Sequence, residues 1–181
     1  HLFAYGEKKN DMRYTLLALV LMNIGFHFEY NDDAADLSPE IFNYVIKCIK
    51  MKKENKIVLF WGMLFIGQFF EIMPDPWNTA ETYGMIEPIE EAFDATESEI
   101  RAAAIFAYTA LNDFDNEESA SVLERMKKLE KKFINDPSIM VRTQLMIFVH
   151  RFLDSQAAQD KGFFEVLSLA ISISTILATD P

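Results

Sequence analysis

Two stretches of this chain can be laid over one another. Residues 99–113, EIRAAAIFAYTALND, and 140–154, MVRTQLMIFVHRFLD, set Arg101 and Arg142 41 residues apart. Each arginine follows a turn and a β-branched residue, and each opens a run with apolar residues at helical spacing. These are Ala104, Ile105, Tyr108 and Leu111 in the first run, and Leu145, Phe148, Val149 and Phe152 in the second. Recurrence at a fixed period constrains a fold more than local propensity does. A unit that cannot bury its apolar face alone requires a neighbour stacked on it.

A period of ~40–47 residues with two helices per unit is the HEAT/armadillo signature. Two earlier units have the Trp61 segment and the Leu16 to Met22 segment as their second helices, with the arginine position degenerate. The expected fold is therefore all-α, a HEAT/armadillo-type α-solenoid of about four helix pairs. It occupies residues 1–181 as a single domain and reads as a fragment of a larger chain.

The punctuation fits helix starts rather than hairpins. Ser38–Pro39 and Asp136–Pro137 each offer an N-cap followed by proline at the first helical position. Thr96 with Glu99, and Asp115 with Glu118, have capping-box spacing. Helices are expected near 10–29, 38–53, 56–73, 79–94, 97–113, 116–134, 137–154 and 160–178. Gly84 and Pro88 predict a break inside the fourth.

Half of the residues are hydrophobic, and the sixteen Phe are expected to fill the core between helices. The formal net charge of -11 repels phosphate backbones and anionic membranes, so no nucleic-acid partner is expected. Two basic clusters, Lys47, Lys50, Lys52, Lys53, Lys56 and Arg125, Lys127, Lys128, Lys131, Lys132, read as solvated helix faces. Cys48, the single cysteine, reads as a core residue in a reducing compartment. No secretory signal pattern is visible. The apolar run 163–178 is sixteen residues long, short of the ~20 that span a bilayer, and reads as a buried helix rather than a membrane insertion.

The three histidines, His1, His27 and His150, have no metal-ligand spacing, and Asp32, Asp33 and Asp36 lack the glycine and distal glutamate of a calcium loop. His150 suits the carbonyl end of a helix. No phosphate loop or nucleophile elbow occurs. Neither enzyme activity nor a cofactor or metal is expected.

Beyond the periodicity, WGMLFIGQFFEI at 61–72, SEIRAAAIFAYTAL at 98–111 and DPSIMVRTQLMIFVHRFL at 136–153 resemble, in order and spacing, the raptor family, the regulatory-associated protein of TOR. Trp61, Gly67, Glu99, Arg101, Ala103, Phe106, Met140, Val141 and Arg142 carry the match, and TLLALVLMN at 15–23 is similar as well. Leu59, Gln68 and the connector Asn31 to Asp36 depart from the family pattern.

The resemblance implies a cytoplasmic scaffold segment of TOR complex 1, recruited by partners to the lysosomal or vacuolar surface, with a caspase-like domain before it and a WD40 propeller after it. Its partners would be TOR kinase, kinase substrates and Rag-type small GTPases. Asn23 and Gln68 would fall on the GTPase-facing ridge, or simply end a helix and face solvent. A HEAT adaptor of another assembly, such as a phosphatase scaffold or a transport receptor, fits the 41-residue spacing equally. A HEAT-like nucleic-acid repair enzyme is disfavoured by the charge.

Overall fold

The structure is a computed structural model that describes residues 39–51, 55–71, 73 and 75–179, with single positions at 13, 16 and 20. Arg13, Leu16 and Val20 are helical; the rest of the helix expected at 10–29 lies outside the described residues, as do Asn23, His27 and Asp32 to Asp36. Among the described residues the chain is all-α. Its helices are α1 (Pro39–Met51), α2 (Lys56–Phe70), α3 (Pro76–Thr82), α4 (Ile86–Ala92), α5 (Ser98–Ala110), α6 (Ser119–Phe133), α7 (Ile139–Leu153) and α8 (Phe164–Thr179). Short 3-10 turns at Gln156–Gln159 and Lys161–Phe163 precede α8. The chain divides into two compact units, His1–Leu111 and Asn112–Pro181.

In the first unit α1 packs on α2, and α2 and α4 both pack on α5. Asn55 starts α2, its side-chain oxygen accepting from the backbone N–H of Ile57 and Val58 at 3.1 Å. The α2 sequence is apolar nearly all round, which requires neighbours on more than one side. It buries Val58, Met63, Phe65, Ile66, Phe69 and Phe70. From α1 come Val45, Ile46, Cys48 and Ile49, so the cysteine is a core residue as expected. Nine of the thirteen residues of α5 are buried, among them Ala102, Ala103 and Ala104, whose small side chains let neighbouring helices approach closely. Tyr108 of α5 takes edge-on contacts from Trp77 at 5.8 Å and Phe93 at 5.3 Å.

The expected break in the fourth helix falls at Gly84. That residue has φ +61, its N–H donates to Glu81 O, and the N–H of Met85 donates to Ala80 O. This Schellman arrangement ends α3 with the glycine in the left-handed conformation. Pro88 is the third residue of α4, where its missing N–H leaves no helical bond unmade.

The second unit places α8 against both α6 and α7, which also pack together. Phe114, Phe148 and Phe152 form an edge-on aromatic cluster, with Phe114 5.5 and 5.7 Å from the other two rings. The side chain of Asp115 accepts from the backbone N–H of Ala157 at 3.0 Å, tying the segment before α6 to the segment after α7.

Three helix starts differ in detail from the sequence expectation. The N-cap of α5 is Glu97 and that of α6 is Glu118, neither with a side-chain capping bond, so the capping boxes at Thr96 and Asp115 do not form. At α7 the N-cap is Ser138, and Pro137 lies before the helix. Asp136 there accepts from the N–H of Ser138 at 2.9 Å, making a turn instead of a cap.

The N-caps Asn55, Glu97 and Ser138 recur at intervals of 42 and 41 residues. Their equivalence is physical as well as numerical at the last two. The guanidinium of Arg101 donates to the carbonyls of Ala95 and Thr96 at 2.9 Å, and that of Arg142 donates to the carbonyl of Asp136 at 2.7 Å. In both cases the arginine folds back six residues and pins the incoming connector to the first turn of its helix.

Gly67 sits where α2 meets α5. A Cβ there would overlap the Phe106 ring and lie 3.2 Å from the backbone Cα of Ala107. Gly67→Ala should lower stability by about 1–2 kcal/mol, because overpacking outweighs the roughly 1 kcal/mol gained in helix propensity. Urea unfolding measures it; unchanged or raised stability would contradict the close approach.

Candidate partner-binding surfaces

Where α1, α2, α4 and the connector into α5 meet, the first unit leaves a cleft of about 550 Å3. Its apolar lining includes Ile49, Leu59, Ala92 and Ile100. Glu87, Glu91, Asp94, Lys50 and Lys56 also line it. Both lysines are engaged. Lys50 donates to the carbonyl of Tyr83 at 3.3 Å, at the end of α3, while Lys56 pairs with Glu97. The Lys56–Glu97 pair joins the first turn of α2 to the N-cap of α5, two positions 41 residues apart. The hydrogen bond from Lys56 holds the Glu97 carboxyl below its ordinary value of 4.5, outweighing a small opposing effect of burial. A second depression, of about 540 Å3, shares Glu87, Glu91 and Asp94 and adds Glu81 and Glu90.

Of the two residues expected on the GTPase-facing ridge, Gln68 lies on α2 between buried Gly67 and Phe69 and is half-buried. Its side-chain oxygen is shielded from solvent without a hydrogen-bond partner among the described residues. Asn23 lies outside the described residues, so the two are not brought together here.

The basic clusters divide. Lys47, Lys50 and Lys56 are exposed, as are Lys127, Lys128, Lys131 and Lys132, while Lys52 and Lys53 lie outside the described residues. Arg125 departs from the solvated-face reading. It is 7 % exposed, pairs with Glu117 and donates through Nε to Ser121 O at 3.2 Å. Glu117 in turn accepts through Oε1 from the N–H of Asp113 at 2.7 Å, which adds one hydrogen bond to a desolvated ion pair. His150 is exposed near the end of α7 and faces Asp154 at 2.8 Å. No group of three or more His, Cys, Asp or Glu side chains converges on a metal-sized site among the described residues.

Apolar surface is exposed in the second unit. On α7 it comprises Ile139, Met140 and Ile147; on α8 it comprises Phe164, Ile171 and Ile176. Only Val166, Ala170 and Ile173 of α8 are buried. Contrary to the length argument from sequence, the helical stretch Lys161–Thr179 is 19 residues long, enough in length and composition to cross a membrane, and it is 17 % buried. The difference arises because the 3-10 turn at Lys161–Phe163 runs directly into α8. The expectation of a buried helix is met along one face only.

Comparison of the chain with protein-family models, curated proteins and solved structures gives no match.

Because Glu97 titrates lower in the folded chain, its pairing with Lys56 stabilises fully above the ordinary carboxylate value of 4.5 and fades as pH falls through the lowered folded value. Glu97→Gln should therefore lower the melting temperature at neutral pH, with the difference from wild type closing as pH falls through the lowered folded value. A difference that persists or widens in acid would contradict the pairing.

Proposed function

We propose that this chain is a protein-binding segment of a HEAT/armadillo-type α-solenoid, of the raptor kind, and that it performs no chemistry of its own. The observation that carries the reading is the repeated helix start. Arg101 and Arg142, 41 residues apart, hold equivalent connectors through equivalent hydrogen bonds. The helix starts recur with the register expected of stacked helix pairs. The raptor assignment adds the ordered Trp61, Arg101 and Arg142 segments, and Gly67 supports it by occupying a close helix contact.

On this reading the chain works in the cytoplasm as part of TOR complex 1, linking TOR kinase to substrates and to Rag-type GTPases. Gln68 belongs to the GTPase-facing ridge together with Asn23.

Immobilised chain should retain TOR kinase or a Rag-type GTPase heterodimer, and Gln68→Glu should weaken retention of the GTPase by about threefold or more. Retention of neither protein would remove the raptor reading and leave a HEAT adaptor of another assembly.

A further inference from the structure

We draw no further inference here: the strongest candidate, the apolar face of α8 in the second unit that exposes Phe164, Ile171 and Ile176, is an unpartnered helix face, and nothing in the structure shows what covers it.

Discussion

A helix as apolar as α2 has a stable place only between others. Water would meet Phe65, Ile66 or Phe69 on one side if α1 stood alone beside it, and each such side chain contributes about 1.5–3 kcal/mol when removed from solvent. The order of the first unit follows. The face of α1 bearing Val45 and Ile49 is buried in the core on one side, and α5, with its run of alanines, packs on the other. Gly67 sets how closely the α5 contact closes. The second unit obeys the same constraint less completely, because α8 is covered by α6 and α7 on one face and exposes Phe164, Ile171 and Ile176 on the other.

Most helices were legible in the sequence because their apolar spacing and their breaks have local causes. The break at Gly84 is one such case. A glycine in the left-handed conformation closes α3, and the residue type alone marks the position. Capping was legible in place but not in chemistry. Thr96, Asp115 and Asp136 stand beside helix starts, yet none makes the capping bond its spacing offers. Asp115 instead binds the backbone of Ala157, and Asp136 turns the chain before Ser138. Those alternatives depend on segments far away in sequence or on a one-residue shift in where the helix begins, and neither leaves a trace in residue spacing.

Arg101 and Arg142 show the same division between position and role. Their period was visible from the amino acids. Their work was not, because the groups they bind are backbone carbonyls, which every residue carries. Arg125 stands in a basic run whose spacing predicts a solvated face, and tertiary structure overrides that by supplying Glu117 and the carbonyl of Ser121. The cleft was equally hidden in the sequence. It joins Ile49, Leu59, Glu87 and Ile100 from four helices, and no linear motif holds them together.

The equivalence of the two arginine-pinned helix starts is what hydrogen exchange of the full chain reads amide by amide. Arg101→Met should speed exchange in the connector and first turn of α5, and Arg142→Met should do so at α7, each by about tenfold, as loss of a charge-assisted hydrogen bond to a carbonyl requires. Acceleration in one of the two variants and none in the other would contradict a shared repeat unit.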